Sequence, residues 1–128
     1  MKRRQFDRLV ARVIENLPEE FASLLDNVVV VTMDEPSRET LAETGVPEGE
    51  TLLGLYEGVP LTERSSEYGL VPPDRITIYQ KPIEESCDSA TLVEEQIRRT
   101  VLHELAHFFG IDEARMDEIE GRWDKSDD

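Results

Sequence analysis

The chain has only two histidines, and they stand four residues apart with a glutamate directly after the first, in His103-Glu104-Leu105-Ala106-His107. On a helix advancing about 100° per residue, the two imidazoles lie about 40° apart and one turn apart in height, with Glu104 about 60° from His107. All three side chains can face one point only if this stretch is helical, and the surrounding residues agree. Ala90 to Phe109 reads as one long helix, with Asp88 or Ser89 as N-cap and Gly110 as the left-handed residue that closes it. Val101, Leu102, Leu105, Phe108 and Phe109 make its remaining faces apolar. Two neutral imidazoles are nitrogen donors for Zn²⁺, and a carboxylate beside them can take a proton from water that the ion acidifies. His103 and His107 are therefore the candidate metal ligands and Glu104 the candidate general base. The plainer alternative, two half-buried histidines in ordinary hydrogen bonds, leaves the spacing of all three residues unexplained.

Catalysis at zinc calls for a third protein ligand and one open coordination position. Phe108-Phe109-Gly110-Ile111-Asp112-Glu113 follows the second histidine, so the longer pattern H-E-x-x-H-x-x-G-x-x-E is present. Gly110 lets the chain leave the helix and fold back toward the ion. Glu113 is the preferred third ligand, and Asp112, one residue earlier, is its competitor.

The bulk numbers narrow the classes around that motif. At 128 residues the chain suits one domain with one core, here residues 1–128 with an acidic tail from about 122. Twenty-nine acids against 14 bases give a net charge of −15, which repels a phosphate backbone and argues against a nucleic-acid partner. The same field favours cations, metal ions and basic peptide segments, although so acidic a surface more often serves only solubility. Cys87 is the single cysteine, so neither an intramolecular disulfide nor a cluster of thiolate ligands can form, and a reducing compartment fits. Lys2, Arg3 and Arg4 resemble the start of a signal peptide, but Gln5, Asp7, Arg8, Arg12 and Glu15 break up the apolar segment it would require. The longest aliphatic run, Val28 to Val31, is too short to span a bilayer. A cytoplasmic protein with no membrane partner is the expectation.

Phe6, Leu9, Val10, Val13, Ile14 and Leu17 recur at spacings of three and four, the buried stripe of an amphipathic helix. Pro18-Glu19-Glu20 opens a second helical segment running to Leu25. The β-branched run Val28 to Thr32 predicts a strand covered on both faces, and so a central one. Leu52 to Tyr56 is a second strand, and Arg75 to Tyr79 a third that alternates polar with apolar. Arg38 to Glu43 suits one short helical turn, Glu57 to Asp74 a long surface loop, and Asp112 to Ile119 a last short helix.

With these segments in view, the chain resembles the minimal zincin-like metallopeptidases, or minizincins, over roughly Phe6 to Glu120. The likeness is carried by Phe21-Ala-Ser-Leu-Leu-Asp-Asn-Val-Val-Val, by Leu53-Gly-Leu-Tyr-Glu-Gly-Val-Pro-Leu-Thr-Glu-Arg64, by Pro73-Asp-Arg-Ile-Thr-Ile-Tyr79, and by His103 to Glu113. It implies an α+β fold with a small mixed sheet packed against helices, one of them the metal helix. It also implies an acidic residue, usually Asp, at the position that Glu113 holds here. The pattern is similar to that of metzincins as well, but no methionine turn follows it: Met116 comes too soon and Met33 precedes the motif.

Several other residues carry two readings. Tyr56, Tyr68 and Tyr79 could each stabilise an oxyanion, with Tyr68 best placed in the loop, although strand tyrosines more often edge a core. Arg64 and Arg75 are ion-pair partners before they are substrate contacts. Cys87 has no further histidine to activate it and reads as a bystander. Phe108 and Phe109 read first as core, and Trp123 as a packing anchor. Taken together, the residues point to an α+β zinc hydrolase of peptide or amide bonds, holding one Zn²⁺ per chain. Its substrate, a peptide or protein segment with a basic one favoured, would run along Leu52 to Tyr56 or Ile76 to Tyr79 if either is a sheet edge. The rival is a metal-binding interaction protein with weak or no proteolysis; a closed structural zinc site would recruit cysteines that the chain lacks. The oligomeric state is not encoded in these patterns.

Overall fold

The computed structural model describes residues 1–58, 73–112 and 114–119. In chain order these form α1 (Arg3–Glu15), α2 (Glu19–Ala22) running into a 3₁₀ turn (Ser23–Leu25), β1 (Val28–Met33), α3 (Arg38–Glu43), β2 (Gly54–Glu57), β3 (Asp74–Tyr79), α4 (Gln80–Glu85) and α5 (Ala90–Phe109). Residues 114–119 are helical and are called α6. The architecture is α+β, a three-stranded mixed sheet packed against helices.

The strand order is β1-β3-β2, with β1 parallel to β3 in the register Val30↔Ile76 and β2 antiparallel to it in the register Tyr56↔Ile76. One face of the sheet carries Ile76 and Ile78 into a core shared with Phe6 and Val10 of α1, Phe21 of α2, and Ile97, Val101, Leu102 and Leu105 of α5. The largest of these side chains are fully buried, each contributing about 1.5–3 kcal/mol of transfer free energy. The stripe Phe6, Val10, Val13 is what lays α1 on that core, as its spacing predicts.

Two strand assignments are corrected. Val28–Thr32 is not a central strand: β1 is an edge, and Val29 and Met33 are exposed. A β-branched run reports strand propensity and does not count the neighbours a strand acquires. The centre is β3, whose apparent alternation hides the fact that Thr77 and Tyr79 are buried along with Ile76 and Ile78. The sequence reading also missed α4, because Pro82 sits inside it. Pro82 occupies the first helical turn, where no backbone N–H is needed for the ladder.

Local chemistry explains the ends of α5. The Ser89 side chain accepts from the Leu92 N–H at 3.3 Å, so Ser89 and not Asp88 is the N-cap. Gly110 ends the helix at φ 70°, a left-handed conformation that a side chain would disfavour.

Candidate metal centre

α5 lies along β2 because two glycines allow the close approach. A Cβ on Gly54 would come within 2.5 Å of the Thr100 methyl, and one on Gly58 within 2.9 Å of the Phe108 ring. Between these contacts falls Glu104, so Thr100, Glu104 and Phe108, four residues apart in turn, make one stripe of α5 facing β2. His103 and His107 occupy the adjoining stripe and are exposed.

The Glu104 carboxyl is half-buried against that strand. Burial raises it above the ordinary carboxylate value, opposed by a hydrogen bond from the Tyr56 backbone N–H and by the neighbouring His107 and His103. The register explains why this donor is available. Tyr79 N–H bonds the Leu53 carbonyl at 3.0 Å, so Leu53, Leu55 and Glu57 pair inward with β3, while the backbone groups of Gly54 and Tyr56 point outward.

The Tyr56 side chain is held independently of its backbone. Its hydroxyl donates to Asp74 Oδ2 at 2.6 Å, and its ring stacks on Phe108 with centroids 3.9 Å apart. Phe109 meets both rings edge-on, at 5.9 Å from Tyr56 and 5.2 Å from Phe108. Neither phenylalanine is a core residue as expected; at 47% and 41% exposure they form an aromatic shelf beside His107. Among the described residues, the Tyr56 ring packs against both and Gly58 comes close to Phe108.

The expected site residues thus separate into three groups. His103, Glu104 and His107 share one region of α5, as their spacing requires. Asp112 is committed elsewhere: its Oδ1 accepts the Arg115 backbone N–H at 2.8 Å, the N-cap of α6. Glu113, Tyr68, Arg64 and Trp123 lie outside the described residues, as does most of the expected loop between Glu57 and Asp74. Of the remaining candidates, Tyr79 is buried, its phenol raised by burial and by Glu57 against the opposing charge of Arg75, with Glu104 adding to the rise. Arg75 pairs with Glu57 at 2.9 Å, the ion-pair role expected of it. Cys87 is half-buried, 3.4 Å from the Ser86 hydroxyl. Ile76 to Tyr79 cannot be a substrate edge, because β3 is paired on both sides, and β2 is the edge beside α5.

Among the described residues no group of three His, Cys, Asp or Glu side chains converges as a metal site. The donors present still fit a zinc ion. The imidazoles are exposed, one turn apart on a rigid helix, and neither takes part in a hydrogen bond among the described residues. Tyr56 was not foreseen as a partner of Glu104, since every residue but proline carries the same N–H.

The model of the zincin-like metallopeptidase family matches residues 25–123. The chain belongs to the zincin-like metallopeptidase family. Among solved structures, this zincin-like chain is similar to a conserved hypothetical protein from T. thermophilus. The two are 26% identical, with a TM-score of 0.53 over 94% of this chain and 99% of that one. Comparison with curated proteins gives no match. No helix among the described residues is long and apolar enough to cross a membrane.

Proposed function

We propose that this zincin-like protein is a zinc-dependent hydrolase of peptide or amide bonds. The observation that carries the reading is the placement of Glu104, half-buried against the Tyr56 N–H and flanked on α5 by two exposed imidazoles. His103 and His107 would hold the ion, with Glu113 as the third ligand. When bound there, zinc supplies Lewis acidity that polarises a carbonyl and acidifies the attacking water.

The chain's own residues do the rest. Glu104 takes the proton of the attacking water and later passes it to the leaving amine, which frees the product end. The Tyr56 N–H fixes one carboxylate oxygen and leaves the other for that transfer. An extended peptide lying along β2 would bring a side chain onto the shelf of Phe108 and Phe109, which favours an apolar or aromatic residue beside the scissile bond.

The test combines metal analysis with digestion of a broad peptide library. Wild type should take up one zinc per chain and cleave, and His103→Ala and His107→Ala should each lose the metal. Glu104→Gln should keep the metal and lose hydrolysis. Zinc retained with no cleavage by wild type would favour the metal-binding interaction protein, and no uptake at neutral pH would sink both.

A further inference from the structure

The sheet has a second edge, far from α5 in strand order, and it is built to receive a strand. The Asp74 N–H bonds the Asn27 carbonyl at 3.0 Å, and β1 runs parallel to β3 in the register Val28↔Asp74. In that geometry Val29, Val31 and Met33 hydrogen-bond inward, and the N–H and C=O groups of Val28, Val30 and Thr32 point away from the sheet. Among the described residues no backbone group bonds to those three on the outer side. β1 has no lysine, proline or other charged residue, the usual protections of an exposed edge.

Beside that edge lies a groove of about 550 Å³ between α1 and β1. Val10, Ala11, Ile14 and Val30 give it apolar walls, and the exposed carboxylates of Asp7 and Glu15 also line it. Asp7 accepts a hydrogen bond from the Thr32 hydroxyl at 2.6 Å, and neither acid is in an ion pair among the described residues. Of the nearby cations, Arg3 is held by Gln80, Thr32 and Asp34, Arg12 pairs with Glu94, and Arg4 and Arg8 do not line the groove.

We propose that β1 and α1 together bind an extended segment of a partner protein, which adds to the sheet as a fourth strand and carries two basic residues flanking an apolar one. Asp7 and Glu15 are eight residues apart on α1, about 12 Å at 1.5 Å per residue. In a strand, residues four apart are about 13 Å apart and point to the same side. A Lys or Arg at positions i and i+4 therefore meets both carboxylates, and the residue at i+2 lies over Ala11 and Ile14. A second copy of this chain fits poorly. The start of α1 lies beside the end of β1, through Arg3 and Asp7 to Thr32. A twofold axis through Val30 would therefore bring each Asp7 toward the other copy's Glu15, on two molecules of charge −15.

The test uses the full chain, isotopically labelled, with the peptide Thr-Thr-Lys-Thr-Val-Thr-Lys-Thr-Thr and two controls. One control carries Glu at both Lys positions; the other carries Pro in place of the central Val. Amide shifts should move at Val28 to Met33 with the lysine peptide, and binding should weaken about tenfold or more for each control. The variant carrying Asp7→Lys and Glu15→Lys should reverse the preference between the lysine and glutamate peptides. Shifts confined to β2 and α5, equal binding of the lysine and glutamate peptides, no binding at about 1 mM, or sedimentation as a dimer joined through β1 would each overturn the proposal.

Discussion

Glu104 is a carboxyl whose partial burial shifts it toward the neutral form, against the Tyr56 N–H and the two histidines. Burial raises it above its ordinary value of 4.5, so the folded protein holds that proton more tightly than the unfolded chain does. The stability this confers is complete below the ordinary value and is lost as pH rises through the raised one. Glu104→Gln keeps the neutral shape and removes the ionisation. In metal-free protein the melting temperature of Glu104→Gln should therefore gain on wild type as pH is raised from about 4 to about 7.5. A constant difference across that range would show that burial does not perturb the group. Asp112 and Glu113 part company at the same scale. Asp112→Ala removes the α6 cap and should cost about 0.5–2 kcal/mol in a thermal or urea melt while leaving zinc affinity near wild type. Glu113→Ala should do the reverse, and Glu113→Asp should be tolerated. That His103, Glu104 and His107 share one helix was legible in the sequence, because helical period is a local property. The hydrogen bond from Tyr56 to Glu104 was not, because which backbone N–H meets the helix is decided by strand register and by a neighbour distant in the chain.

At the level of elements, the site depends on how closely β2 and α5 approach, and Gly54 sets that distance. Gly54→Ala puts a methyl 2.5 Å from Thr100 Cγ2 and 3.1 Å from the Thr77 carbonyl, so strand and helix must separate, at a cost of about 1–3 kcal/mol. Thr100→Ser deletes the clashing methyl and keeps the hydroxyl that bonds the Gln96 carbonyl at 2.8 Å. Combined with Gly54→Ala it should recover part of the loss, a coupling that a double-mutant cycle in urea would measure. The ends of α5 were readable because caps are local: a serine before the helix and a glycine after it. The position of β1 was not, since Val28 to Val31 would read the same way in the middle of a sheet as on its edge. The exposed rings of Phe108 and Phe109 escaped the sequence reading for a related reason. Helix periodicity marks them as apolar but does not say how far the sheet extends beneath them.

For the whole molecule, a bound ion should act as a folding ligand. At zinc concentrations about a thousandfold above the dissociation constant, binding to the native state alone adds about 4 kcal/mol of stability, visible as a raised melting temperature. His103→Ala should abolish that rise. Calcium, which prefers oxygen donors, tests the alternative that a net charge of −15 collects divalent ions without a site, since it would then stabilise wild type and His103→Ala alike. The contact of Tyr56 with Glu104 also has a consequence in time. The two residues are 48 positions apart (104 − 56), and closing a loop of that length costs about 3.4 kcal/mol of chain entropy. α5 needs only neighbouring residues to wind, so in refolding its amides should gain protection ahead of the Tyr56 amide, an order that pulsed hydrogen exchange would check. On the proposed function, a refolding chain would then present His103 and His107 to zinc before Glu104 is anchored.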